Sequence, residues 1–537
     1  MKKLIILPLL LLTLSLGATR VYVATTGNDG TGDGSVGAPY LTIATGIANA
    51  SAGDTVFVKA GTYTISTAIA PPVAISLYTN EAVTLLAGSA LDAMFMLSSA
   101  SEGTNGNQTI SGFTFDGNDS TGYRAIAVIA RSNVKIHDNT FINWYRAAVR
   151  FTGRVSGDGE PTIYATGNEF CNNTVNDCAR DVWSSTYYSA GGAVEISGQE
   201  GMLILDNYID GGLRHGYGIK GVVNNGYHKG LKIYRNTVIM NTRYHTSSWN
   251  FAIELWSQRG GLEICDNVLR GGIDLGGYDT NDEGGYGYAA MILRNDIGHL
   301  SLPTGGSVVG IAVELGQHGG LIISRNRFHH VEIAIDCQTT SSDIVPGQED
   351  IVIIYNLFHD LGLTSGAYSG KALSFNAEGA YTSTWSNITF VNNTVYNPTT
   401  TGHTVMDCED SGNTFYDIRF QNNICKGFYN AVKWDAGTVD TLKIENNLTY
   451  NVTNLHNLTG ATVTNSTIVD NITATNPLFK SNETFRLRPT SPAIDAGIDV
   501  GLTTDYWGHR VPQGSAPDIG AAEYGNYVLF YNGKQLH

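Results

Sequence analysis

The sequence predicts an all-β chain wound as a solenoid, and three observations carry that expectation. First, eleven short apolar strands each end in an asparagine, namely Asn139, Asn168, Asn207, Asn236, Asn267, Asn295, Asn326, Asn356, Asn393, Asn423 and Asn447. Successive asparagines stand 24 to 39 residues apart, mostly near 30. A fixed period of this size marks units that bury their apolar faces only against their neighbours. Second, β-branched residues alternate with polar ones and no unit carries a 3.6-residue apolar stripe, which excludes helical repeats. The leucine signature of leucine-rich repeats is also missing. Third, 63 glycines and 13 prolines among 537 residues fit many tight turns and few rigid linkers.

The chain opens on residues 1–18, a segment with the layout of a secretory signal peptide. Lys2 and Lys3 precede an apolar run from Leu4 to Leu12, and small residues Ser15, Gly17 and Ala18 follow. Export to the extracellular space or periplasm is the expectation. No cysteine sits near the cleavage site, so a lipid anchor is not expected. No later run of eighteen apolar residues exists, so no membrane span is expected in the mature chain. Cleavage takes the formal charge from −16 to −18 by removing two lysines. That charge disfavours nucleic acid, whose phosphates need a basic surface. An anionic polysaccharide would need bridging cations. Cys171 and Cys178 are close enough in sequence to pair in an oxidising compartment, whereas Cys337 and Cys408 stand at inward positions and read as buried thiols.

Residues 19–64 differ from the repeat. The strand VYVATT, a Gly/Asp-rich loop, the short helix LTIATGIANA and the strand TVFVKAGTY follow in that order. This order, with Gly53-Asp54-Thr55-Val56 and Ala60-Gly61-Thr62-Tyr63, resembles the start of the secreted pectate-lyase-like right-handed parallel β-helix proteins. The resemblance covers most of the mature chain and implies a helix plugging the first coil. It also implies a single-stranded right-handed parallel β-helix over 65–475, in twelve or more coils. It does not carry an activity, because that superfamily holds lyases, hydrolases, epimerases and non-enzymes.

Within the repeat, each asparagine is expected at a turn, tolerating the left-handed conformation and bonding its equivalent one coil away. Residues 476–525, with Ser491-Pro492-Ala493-Ile494-Asp495-Ala496-Gly497 and Asp518-Ile519-Gly520-Ala521, look like the closing segment of secreted bacterial β-helix proteins. They are expected to cover the open edge of the last coil. Asp495, Arg510 and Asp518 are expected there as salt-bridge partners, and 526–537 form an unassigned tail.

A second repeated element precedes each asparagine strand, reading AAVR150, GAVE195, YGIK220, FAIE254, GGID274, IAVE314, IAID336, KALS374, TVMD407 and NAVK433. Strand alternation turns the last residue of each outward, into a column with a spacing of about 4.8 Å. One reading is a solvated charged ladder that keeps the face soluble. The other is a site, because Glu254, Asp274, Glu314 and Asp336 would stack four carboxylates above Lys220, and like charges on neighbouring strands repel. Trp256 shares the face and offers a sugar-stacking plate, with Tyr217 and Asp336 as further substrate contacts. Arg214 and His215 lie just upstream of Lys220.

Two chemistries are open on a polysaccharide partner, with lyase-type elimination on an acidic polysaccharide ahead. There Lys220 or His215 is the base, Arg214 neutralises the uronate, and Glu195, Glu254 and Asp274 hold Ca²⁺ through hard oxygens. In a glycoside hydrolase, Glu254 pairs with Asp274 at about 5 Å or with Glu314 at about 9.5 Å. A secreted sugar-binding or adhesion protein without turnover is the non-enzymatic alternative. Neither an aspartate-rich polygalacturonase motif nor a pectate-lyase signature is present, so no family's catalytic set transfers.

Overall fold

A run of parallel pairings one coil apart builds the molecule. The structure, a computed structural model, describes residues 19–119, 122–157, 159–179, 191–211, 217–221, 227–240, 251–276, 285–299, 308–314, 320–339, 348–362, 370–377, 384–398, 402–408, 413–525, 529–531 and 534–536. Among these, a 17-stranded and a 25-stranded parallel sheet run the length of the chain, with a short three-stranded sheet beside them. The result is a right-handed parallel β-helix, as the period and the resemblance led one to expect. The 25-stranded sheet carries two strand columns, and strand Ile424–Trp434 belongs to both by pairing with Thr394–Tyr396 and Thr404–Cys408. Alternate residues of every strand point inward, and Ile204, Ile233, Ile264, Ile292, Ile323 and Ile353 line the core with no exposure.

Helix Ile43–Ala48, capped by the Thr42 side chain, lies within the segment read as helical. Its Gly46 is needed for close approach, since a Cβ there would meet Val23 Cγ2 at 2.5 Å. Strand Arg20–Val23 pairs with Thr55–Val58, so the chain enters the solenoid directly.

The asparagine column is real but differs in one member. Asn139 bonds Asn173, not Asn168, and Asn173 bonds Asn207, each backbone N–H donating to the next Oδ1 at 3.0 and 2.9 Å. The ladder continues through Asn447 to Asn471. Asn168 serves another position, taking the Val134 N–H and donating to Gln199. Nor is the ladder asparagine itself left-handed. The residue before it is, from Asp138 (φ 56°) and Asn172 (φ 54°) to Asn446 (φ 52°). That frees the asparagine to point inward, where the amide satisfies backbone groups that no water reaches.

The segment after the last coil packs along the flank of the coils. Phe479, Phe485, Leu487, Ala493, Ile519 and Ala521 cluster with Leu357, Ile424 and Leu448 of three coils. Asp518 accepts from the backbone of Asp495 and Tyr524, and Asp495 from Ala516, so these carboxylates cap backbone rather than pair with Arg510. All six cysteines are thiols, so Cys171 and Cys178 are not joined, while Cys337 and Cys408 are fully buried.

Candidate functional site

The outward column forms because inward neighbours fix its phase. Val194, Ile219, Ile253 and Ile273 are buried in the core, which turns Glu195, Lys220, Glu254 and Asp274 to the other face. Pairing places Arg150, Glu195, Lys220, Glu254 and Asp274 opposite one another in consecutive coils. The next member is Ala312, not Glu314, followed by Asp336, Ser374, Asp407 and Lys433. Ile-Ala-Val-Glu fits either way, because a shift of two residues keeps the same face. Packing of Ile311 on Ile273 and Val313 on Leu275 decides it. Glu314 therefore sits beside the column, its N–H donating to Leu275 O at 2.8 Å. The expected stack of four carboxylates is broken by an alanine.

The two ends of the column are structural ion clusters. Glu195 accepts from Arg146 Nε at 2.8 Å and Arg124 Nε at 3.3 Å. Burial pushes its carboxyl up, but Arg124, Arg146 and Arg150 outweigh that and hold it below the usual range. Asp407 lies 2.9 Å from Lys371 and 3.6 Å from Lys433. Of the residues expected to hold calcium, Glu195 is engaged by arginines, and Lys220 stands in the coil between it and Glu254. Among the described residues no group of three His, Cys, Asp or Glu is placed to hold a metal.

The centre is different. The Lys220 ammonium bonds the Glu254 carboxylate and lies 3.7 Å from the centre of the Tyr217 ring. Asp274 is 1% exposed. Its Oδ2 accepts from Trp256 Nε1 at 3.3 Å, while Oδ1 is buried and has no hydrogen-bond partner among the described residues. Burial, then the charges of Glu314 and Glu254, push the Asp274 carboxyl well above the carboxylate range. Burial, then the charges of Glu254, Asp274 and Glu314, raise the Tyr217 phenol well above its ordinary range. Asp336 accepts from Gln338 at 2.6 Å. Trp256 lies across Gly276, where a Cβ would meet the indole at 2.8 Å. Its ring therefore rests on backbone beside Asp274. Arg214 and His215 lie outside the described residues.

Sequence reasoning missed the apolar strip beside the carboxylates. Tyr217, Phe251, Val309, Ala312 and Ile333 pack together on this outer face. The signal was present, since Tyr217, Phe251, Val309 and Ile333 each stand three residues before a column position.

Residues 25–261 match the family described as "Protein of unknown function (DUF1565)". The fold is the parallel β-helix built by the stacked parallel sheets. No curated protein matches the chain in sequence. Among solved structures, a complex of XylC with xylose is 12% identical, with 95% of this chain and 99% of that one covered at a TM-score of 0.39. A tailspike protein mutant of E. coli bacteriophage HK620 in complex with pentasaccharide is 12% identical, with 78% and 74% covered at 0.48. Pectate lyase Pel9A is 15% identical, with 95% and 97% covered at 0.30. No helix among the described residues is long and apolar enough to cross a membrane.

Proposed function

We propose that this β-helix protein is an exported glycoside hydrolase, with Asp274 as general acid and Glu254 as nucleophile. One observation carries the reading. Two carboxyls in register on neighbouring coils have opposite environments, Asp274 buried and pushed to the protonated form, Glu254 paired with an ammonium. Carboxyls whose surroundings drive them apart are how a site holds an acid and an anion at one pH. A spacing of one coil, about 4.8 Å, suits a retaining mechanism. Asp274 gives its proton to the glycosidic oxygen while a Glu254 oxygen bonds the anomeric carbon and the C–O bond breaks. Asp274, now a carboxylate, then takes a proton from water, whose oxygen displaces Glu254 and frees the sugar. Lys220 stabilises the Glu254 carboxylate, and the half-buried Trp256 on the same face offers the plate against which a sugar ring rests.

Elimination is less well supported. With Lys220 as the base, it needs an ammonium to give up its proton while a carboxylate and an aromatic face hold it. The Glu254 carboxylate would also repel a uronate bound beside it.

A panel of aryl glycosides and polysaccharides tests the reading. Asp274→Asn and Glu254→Gln should each lose about 10²- to 10⁴-fold in rate, with the anomeric configuration retained in wild-type product. Unsaturated products would establish elimination instead. Binding without cleavage across the panel would establish an adhesion or sugar-binding protein.

A further inference from the structure

A second aromatic feature lies on another side of the same coils. Tyr286 is 39% exposed although its ring is held against the solenoid. It lies across the backbone corners of two consecutive coils. A Cβ at Gly261 would meet three ring atoms at 2.6 to 2.8 Å, and one at Gly230 would meet the hydroxyl oxygen at 2.7 Å. Both glycines are left-handed, with φ of 68° and 55°. The corner one coil further is Gly201, joined to this series by its N–H to Lys229 O at 2.9 Å. There the surface is open, with nothing within 4 Å of a Cβ.

Two more tyrosines flank this shelf. The Lys229 ammonium lies 4.4 Å from the Tyr164 ring centre, and the Arg259 guanidinium 4.8 Å from that of Tyr227. Glu160 joins the pairs, accepting from Arg259 Nη2 at 3.3 Å and from the Tyr164 hydroxyl. Cation–aromatic contacts and a shared carboxylate hold both rings in fixed orientation. Arg259 follows Trp256 by three residues, so the shelf and the carboxylate pair share a coil, but strand His228–Lys229 at the shelf belongs to the three-stranded sheet and the pair to the 25-stranded one.

We propose that Tyr286, with Tyr164 and Tyr227, is a glycan-stacking platform separate from the Glu254–Asp274 pair. Its ligand class is a polysaccharide whose pyranose rings present an unbroken C–H face, because polarised C–H groups seat on the negative face of an aromatic ring. Coils are about 4.8 Å apart, so a chain laid along the axis from Tyr286 reaches the open Gly201 corner within one step. The half-buried Lys229 beside Tyr164 supplies a donor for sugar hydroxyls. The platform anchors long polymer whatever chemistry the carboxylate pair performs.

Electrophoresis through gels containing hydroxyethyl cellulose, xylan, chitosan or pectate tests it. Wild type should be retarded by at least one of these glycans. Tyr286→Ala should weaken that retardation about three- to tenfold, and Tyr286→Trp should preserve it. Asp274→Asn, which disables the proposed hydrolase, should be retarded like wild type, so the two ideas fail independently. Thermal unfolding of Tyr286→Ala should match wild type. The proposal is overturned if Tyr286→Ala runs as wild type in every gel, or if wild type is retarded by none.

Discussion

Burial and the Glu314 and Glu254 charges hold the Asp274 carboxyl well above the carboxylate range, against the Trp256 indole that donates to it and the charge of Lys220. That donor favours the ionised form, so its removal should raise the Asp274 pKa further. A general acid works only when protonated, and activity must fall as pH rises through its pKa. Trp256→Phe should therefore move the alkaline limb of the pH–rate profile upward, whereas a wall residue alone would change affinity and leave the limb in place. Glu195 tests the opposite case, a buried carboxylate kept ionised by arginines. Arg146→Ala removes one of the three arginines that compensate this charge and should cost about 3–5 kcal/mol in chemical denaturation.

At the scale of the element, the asparagine ladder holds each coil to the next. Asn267 Nδ2 donates to Ile233 O at 2.9 Å and to Asn295 Oδ1 at 2.9 Å, and its Oδ1 accepts from the Asn236 N–H at 2.8 Å. Asn267→Ala strands several buried groups, each worth about 1–3 kcal/mol, and should lower the unfolding midpoint well below wild type. Asn168→Ala breaks no ladder bond and should cost less.

These positions also show what could be read in advance. The ladder was legible because turn chemistry repeats, but at Asn168 and Asn173 two asparagines competed for one slot. The pair Asn172-Asn173 resolves it, since a left-handed residue immediately before the ladder asparagine is the shared feature. The charged column was legible in phase but not in register at Ala312 and Glu314, because a two-residue slip leaves the facing unchanged. Tyr286 was not legible as part of a shelf, since its support comes from glycines 25 and more residues upstream. Only the fold brings them together.

At the scale of the whole molecule, the C-terminal segment joins the flank through buried acids. Burial raises the Glu523 carboxyl to about 7 and Asp518 to about 6, and neighbouring carboxylates including Asp505 add to both. A folded pKa above the unfolded one means the native state holds more protons between the two values. Stability from these groups is therefore full below about pH 4 and lost as pH rises towards 7. Melting temperature should fall across that window in calorimetry, and Glu523→Gln should flatten part of the slope.

The left-handed residue ahead of every ladder asparagine, from Asp138 at 56° to Asp470 at 54°, has a consequence for how such a chain changes length. Each coil begins and ends at the same backbone pose, so coils are interchangeable paragraphs rather than words in a sentence. Cutting out residues 139–172, one whole coil of 34 residues between ladder positions, should give a shorter chain that still melts cooperatively, with Asn173 in the place of Asn139. Removing one residue fewer should not, because every later side chain in that turn would face the wrong way. Lineages of this molecule are expected to gain and lose length in whole turns.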